Sequence, residues 1–140
     1  MLTNTLEDCR LFSLRSFKDE RGALSVVEEG LDLPFTPRRI FFLHDIQEGA
    51  SRGGHAHRQS DEVVIALKGA VTVRLFDGRS EREYQLTDPS QGLYLPPMIW
   101  IDLYDFTKDS LVLALASHQF DESDYIRNRD AFLLEIEGVA

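Results

Sequence analysis

Cysteine is almost absent from this chain: Cys9 stands alone among 140 residues, so no internal disulfide can form. Long hydrophobic runs are missing as well. Leu111 to Ala116 is closed at both ends by serine and falls far short of the ~18 apolar residues of a spanning helix. The opening MLTNTLEDCR lacks the basic start and apolar stretch of a secretory signal. Positive charge is scarce too, with Lys+Arg 15 against Asp+Glu 24 and a formal net charge of -9. Non-specific nucleic-acid binding, which needs a basic surface to displace counterions, is thereby excluded, although a local Arg cluster can still hold a small anion. The expectation is a soluble cytoplasmic protein with no membrane and no nucleic-acid partner. No shift in composition, repeat or Pro/Ser-rich linker divides it, so residues 1–140 are expected to form one domain. A chain of this size buries roughly two thirds of its unfolded surface, enough for a core without staples.

Turn chemistry punctuates the chain at short intervals. Asp19-Glu20-Arg21-Gly22, Glu48-Gly49, Arg52-Gly53-Gly54, Lys68-Gly69, Asp77-Gly78, Asp88-Pro89 and Gln91-Gly92 each read as a turn or loop, because Gly supplies positive φ and Pro pre-sets it. Between them lie strand-length pieces rich in β-branched and aromatic residues: Arg39–Leu43, Glu62–Leu67, Val71–Phe76, Arg82–Leu86, Gly92–Leu95, Trp100–Tyr104 and Leu111–Leu115. Asp77-Gly78 is the strongest hairpin signal. Short strands at this spacing with no intervening helical pattern predict an all-β sandwich or barrel of about eleven strands. Only the tail reads as helical: Asp121 and Asp124 can cap a short turn, with Asp121, Glu122 and Asp124 as a helix start, and a last helix is expected over 127–136.

The stretch from Gly49 to Gly69 carries the chemistry. His55 and His57 are two apart, which on a strand sends both imidazoles to one face while Ala56 points away. Glu62 follows after four more residues and begins the next apolar run. The spacing Gly-x5-His-x-His-x4-Glu-x6-Gly matches the first cupin motif at each fixed position. It implies a cupin double-stranded β-helix, a jelly-roll barrel with a short C-terminal helix, in agreement with the strand count. In metal-binding cupins the two His and the Glu are ligands, and a His of a second motif is the fourth. Here the prolines of that second motif stand in Gly92 to Ile101, but no His follows. His55, His57 and Glu62 can still form a facial triad for a divalent ion. The same His pair, without metal, suits proton transfer near neutral pH.

Over nearly its whole length the sequence resembles the dTDP-4-keto-6-deoxyglucose 3,4-ketoisomerases, small cupins of deoxysugar biosynthesis that serve glycans such as the lipopolysaccharide O-antigen. Carrying the likeness are Arg21-Gly22 with Leu24, Pro34-Phe35, Arg39, Arg52 to His57, Asp77-Gly78, Gly92-Leu93-Tyr94, Pro97, Trp100, Asp105-Phe106, Leu115-Ala116-Ser117 and Tyr125-Ile126-Arg127. The resemblance implies conversion of a dTDP-linked 4-keto sugar into its 3-keto isomer without a cofactor, with the His pair as acid/base centre. It also implies a homodimer with exchanged N-terminal strands. Three positions depart from the family pattern: Glu62 where members tend to carry Gln, Ile101 where some place a His, and Phe41-Phe42 where a Tyr pair can occur.

Moving a carbonyl from C4 to C3 requires a base for the C3 proton, an enediolate, and a proton returned to C4. On this reading His57 is the expected base and His55 the group that protonates or polarises the oxygen. Arg52, Arg21 and Arg39 are the candidates for the diphosphate, which a guanidinium fork fits. Trp100 and Tyr94 are the candidates for stacking on the thymine or a sugar face. A metal-dependent cupin using His55, His57 and Glu62, and a non-catalytic nucleotide-sugar-binding cupin, are the alternatives. Arg38, Arg58, Arg74, Arg79 and Arg82 read as surface charge, and His44 and His118 as structural.

Overall fold

All seven strand-length runs are strands in the computed structural model, which describes residues 3–138. In chain order the strands are β1 (Arg10–Ser13), β2 (Arg15–Asp19), β3 (Gly22–Val26), β4 (Arg39–Leu43), β5 (Arg52–His57), β6 (Glu62–Lys68), β7 (Val71–Phe76), β8 (Glu81–Leu86), β9 (Gln91–Leu95), β10 (Trp100–Tyr104), β11 (Leu111–Ala116) and β12 (Tyr125–Ile126). Two five-stranded antiparallel sheets face each other, ordered β1-β9-β6-β11-β4 and β12-β5-β10-β7-β8, and β2 pairs only with β3. This is the expected jelly roll. No helix among the described residues is long and apolar enough to cross a membrane.

Period-two alternation explains why the core has three parts. Leu93, Leu95, Val64, Ala66, Val73, Leu75, Ile101, Leu103 and Val112 point between the sheets and fill the barrel. Their neighbours of opposite parity face outward and are also covered. On the first sheet, Val63, Ile65 and Leu115 pack with Leu14, Leu33, Phe35 and Tyr94. On the second, Ala56, Trp100 and Ile126 pack on Phe132 of the C-terminal helix α1 (Arg129–Gly138). Both faces of β6 and β11 are therefore largely apolar, which is why those runs are nearly continuous, whereas Thr72 and Arg74 of β7 and Asp102 and Tyr104 of β10 keep the alternation.

The Asp77-Gly78 hairpin joins β7 to β8, with Asp77 Oδ1 accepting from the backbone N–H groups of Arg79 and Ser80 at 2.9 Å each. The tail departs from expectation in register. Asp121 caps a single 3-10 turn, Glu122–Asp124, as its sequence suggested, but Tyr125 and Ile126 then join the second sheet. The helix starts two residues later than expected, at Arg129, because Asn128 Oδ1 accepts from the Ala131 N–H at 2.9 Å and caps it.

Candidate active site

Between the sheets, above the packed core, lies a cavity of about 500 Å³. Arg39, Phe41 and Leu43 (β4), Glu62 and Val64 (β6), and Val112 and Ala114 (β11) line it from one side; Gly53 and His55 (β5), Ile101 and Leu103 (β10), and Tyr125 (β12) line it from the other. Ser51, Arg52, Phe120 and Arg127 complete its lining.

A β-bulge in β5 aims the histidines. Across from β10, Ile101 pairs with His55 but Asp102 pairs with Gly53, so Gly54 is the extra residue. Gly53 and Gly54 have φ of 83° and 72°, a region that favours glycine, and a Cβ on Gly53 would lie 2.7 Å from the Ile101 carbonyl oxygen. The glycine pair in front of the His-x-His motif is thus a steric requirement for its placement. Beyond the bulge, Ala56 turns out under α1 while the two imidazoles turn in, with ring centroids 5.1 Å apart.

The two histidines have different surroundings. His55 lines the cavity; its Nδ1 is buried without a hydrogen-bond partner, and burial, reinforced by His57, lowers its pKa to about 4. It is neutral at pH 7 and able to accept a proton. His57, which sequence reasoning made the base, is only 4% exposed and does not form the cavity wall. Its Nδ1 is 2.9 Å from Asp124 Oδ2 and its Nε2 is 3.4 Å from Glu62 Oε1. Burial lowers its pKa too, against the pull of the Asp124 hydrogen bond and charge. Glu62 is 3% exposed, and burial pushes its carboxyl up to about 7, with Arg39 pulling the other way. Nδ1 is thus met by Asp124, whereas Nε2, although near Glu62, has no hydrogen-bond partner among the described residues.

Asp124 was read as a helix start and is instead the anchor of this pair. Its Oδ1 accepts from the Gln59 N–H at 2.6 Å, so one carboxylate ties the residues after β5 to the strand segment before α1. Arg58, read as surface charge, fastens the same segment: it donates to the carbonyls of Ser123 (2.5 Å) and Tyr125 (3.1 Å) and bridges to Glu135 (2.6 Å) of α1. Asp124→Ala strips the acceptor from the buried His57 ring and from the Gln59 N–H. It is expected to lower stability by about 2 kcal/mol, checked by urea unfolding.

The arginine and aromatic candidates divide. Arg39 and Arg52 line the cavity, and Arg52 has no ion-pair partner among the described residues. Arg21 does not: it sits in the β2–β3 turn, exposed and paired with Asp19 at 2.6 Å. Tyr94 and Trp100 also fall outside, because their strand parity turns them away from the barrel. Tyr94 packs near Phe35 and donates to Asp61 Oδ1 at 2.6 Å; Trp100 lies under α1, its ring 5.7 Å from that of Phe132. In their place the cavity holds three residues that sequence reasoning did not assign. Tyr125 and Arg127 stood in one of the matched blocks, the only signal available, and Phe120 gave none. Arg127 stacks over Tyr125 at 4.2 Å and pairs with Glu122 at 2.8 Å.

One ligand atom from each of His55, His57 and Glu62 lies within 4.8 Å of the others, close enough to converge on a divalent cation. The nitrogens left without hydrogen-bond partners among the described residues, His55 Nδ1 and His57 Nε2, fit such a role as well as they fit proton transfer.

A family model described as FdtA, WxcM-like, C-terminal, matches residues 7–137. A TDP-4-oxo-6-deoxy-alpha-D-glucose-3,4-oxoisomerase from Aneurinibacillus thermoaerophilus is 36% identical over 123 residues, 88% of each chain. Among solved structures, QdtA, a sugar 3,4-ketoisomerase from Thermoanaerobacterium thermosaccharolyticum crystallised with TDP, is similar with a TM-score of 0.92 and 35% identity, covering 96% of this chain and 98% of that one. WlaRA, a TDP-fucose-3,4-ketoisomerase from Campylobacter jejuni, is similar at 0.89 and 28% identity, covering 94% and 98%.

Proposed function

We propose that this chain, which belongs to the FdtA family (WxcM-like, C-terminal), is a sugar 3,4-ketoisomerase of deoxysugar biosynthesis acting on a dTDP-linked 4-keto-6-deoxyhexose. One observation about the cavity supports this most directly. Of four buried side-chain polar atoms without a hydrogen-bond partner among the described residues, three belong to Arg39, His55 and His57, at a single site. Folding leaves buried polar atoms unsatisfied where a polar ligand is to satisfy them.

In the proposed mechanism neutral His55, at the cavity wall, takes the proton from C3. Electrons of the broken C–H bond form a C3–C4 double bond and the C4 carbonyl becomes an enediolate oxygen. The C3 hydroxyl proton passes to the C4 oxygen, a proton is delivered to carbon C4 as the double bond opens toward it, and the carbonyl is left at C3 with a hydroxyl on C4. The net change is a shift of hydrogen and carbonyl, so no external oxidant or reductant is needed. His57 orients the site from behind, held by Asp124 and Glu62. Arg52 and Arg127 both line the cavity, and in this reading their guanidinium groups hold the diphosphate. The apolar wall of Phe41, Leu43, Ile101 and Leu103 excludes water from the enediolate.

We read the functional unit as a cytoplasmic homodimer of single cupin domains. Within one chain the β2–β3 hairpin leaves Phe17 and Leu24, which face each other in register, 60% and 62% exposed; Ile40 and Phe42 on the outer face of edge strand β4 are 61% and 58% exposed. A second copy would cover such faces, and exchange of the N-terminal strands is the arrangement in which Arg21 can serve as a substrate ligand. Sedimentation equilibrium at micromolar concentration is expected to give the mass of a dimer; a monomer would exclude the exchange.

NMR of chelator-treated protein with dTDP-4-keto-6-deoxyglucose in D2O tests the activity. A 3-keto product with deuterium at C4 supports it, and the ring couplings assign the C4 epimer. The donor set of His55, His57 and Glu62 favours one other reading, a metal-assisted enzyme. A divalent ion held by them would supply Lewis-acid polarisation of the sugar carbonyl. Turnover that appears only after a divalent ion is restored would select that reading, and no change under either condition would remove the substrate assignment.

A further inference from the structure

Proton abstraction by His55 leaves two cavity residues without a role, and they meet each other. Arg39 comes from β4 of the first sheet and Tyr125 from β12 of the second; Arg39 Nη2 donates to the Tyr125 hydroxyl at 2.8 Å. The guanidinium is held by aromatic rings, 4.9 Å from the centroid of Phe41, 5.5 Å from Phe120 and 5.8 Å from Tyr125. Its Nε is buried with no acceptor among the described residues. A hydroxyl that accepts from a guanidinium keeps its own O–H to donate. Tyr125 O–H and Arg39 Nε–H are thus two unspent donors in residues that line one cavity. Tyr125 is also beside the base, its ring centroid 4.9 Å from that of His55 and 4.3 Å from that of His57.

We propose that Tyr125 and Arg39 are the oxyanion-stabilising pair of this active site, donating to the sugar oxygen that gains negative charge when His55 deprotonates C3. The inference rests on the ketoisomerase reading. A C–H beside a ketone loses its proton at a useful rate only if the developing enediolate is stabilised by donors already in place. Of the cationic residues at the site, Arg127 is engaged with Glu122 and Arg52 is solvent-exposed, whereas Arg39 lies at the wall with aromatic rings fixing its plane. The Tyr125 hydroxyl, hydrogen-bonded to that guanidinium, supplies the second donor.

Tyr125→Phe is the test, since it keeps the ring contacts with both histidines and Arg127 and deletes only the hydroxyl. Wild type and variant are compared for ketoisomerisation, for C3–H washout in D2O and for TDP binding. The expected result is a kcat lowered on the order of 50-fold, the value of one hydrogen bond to a charged group, with washout reduced in parallel and TDP affinity unchanged within about twofold. Parallel loss marks a donor that stabilises the common enediolate. Washout retained while product formation falls would overturn the proposal, making Tyr125 a source of the C4 proton instead. A variant as active as wild type would overturn it as well, and a TDP affinity falling with kcat would do so in favour of a structural role. A wild type that leaves the keto sugar unchanged and unexchanged would overturn the isomerase reading and this inference with it.

Discussion

His55→Asn is expected to lower kcat by on the order of 1,000-fold, the usual worth of a positioned general base, while TDP affinity stays within a few-fold. Asn is smaller than His but keeps a polar tip, and it accepts no proton from carbon. His55 faces the cavity and makes no side-chain hydrogen bond to another element, so the fold should lose little. His57→Asn tests the opposite arrangement. That ring is buried between Asp124 and Glu62, and its removal leaves two carboxyls without their shared partner. The expected signature is a lowered Tm accompanying the loss of activity. Steady-state kinetics and thermal unfolding on the same two preparations separate the roles. If His57→Asn unfolds normally and is the slower enzyme of the two, the base is His57 and the mechanism drawn for His55 falls.

Glu62→Gln is expected to stabilise the protein by roughly 3 kcal/mol above pH 8 and by almost nothing below about pH 4. Burial raises the Glu62 carboxyl from its ordinary 4.5 to about 7. Below pH 4.5 the group is protonated in the folded and unfolded chains alike and contributes no pH dependence. Between about 4.5 and 7 the folded protein holds a proton that the unfolded chain has released, so stability falls as pH rises. Above 7 the folded protein carries the buried carboxylate and the loss is complete. Gln has nearly the same shape and carries no charge, so the alkaline loss disappears. His55 contributes the opposite limb: its pKa is lowered from 6.5 to about 4, so stability falls as pH drops through that window, and Glu62→Gln leaves this limb intact. Denaturation midpoints of the two proteins from pH 4 to 9 decide it. Superimposable profiles would mean that Glu62 is ionised at no net penalty in the folded state.

Much of this protein was legible in one dimension. Gly and Asp turn signals at regular spacing marked the strand ends, and Asp77-Gly78 formed the hairpin that its backbone chemistry favours. His55 and His57 share a face because a strand repeats every two residues, a property of the backbone alone. The glycines before them are fixed by local sterics, since a Cβ at Gly53 meets the Ile101 carbonyl. The family resemblance, carried by ordered short blocks, was also a linear property, and the comparisons agree with it.

Other features needed the third dimension. Which parity of a strand faces the cavity is invisible when both faces are covered: Tyr94 and Trp100 read as binding-site aromatics, yet apolar layers outside each sheet claim them. His55 and His57 are equivalent by spacing, and only the depth of the barrel separates the one at the wall from the one behind it. Asp124 reaches His57 across 67 residues, and Arg39 reaches Tyr125 across 86. Short-range periodicity carries no information about contacts made over such separations. Local sequence thus determined the strands, the turns and the pairing of the histidines, because backbone geometry and turn sterics act within a few residues. Tertiary packing decided which histidine lines the cavity and which distant side chains surround it, because burial and charge in the chamber arise only when the two sheets close on each other.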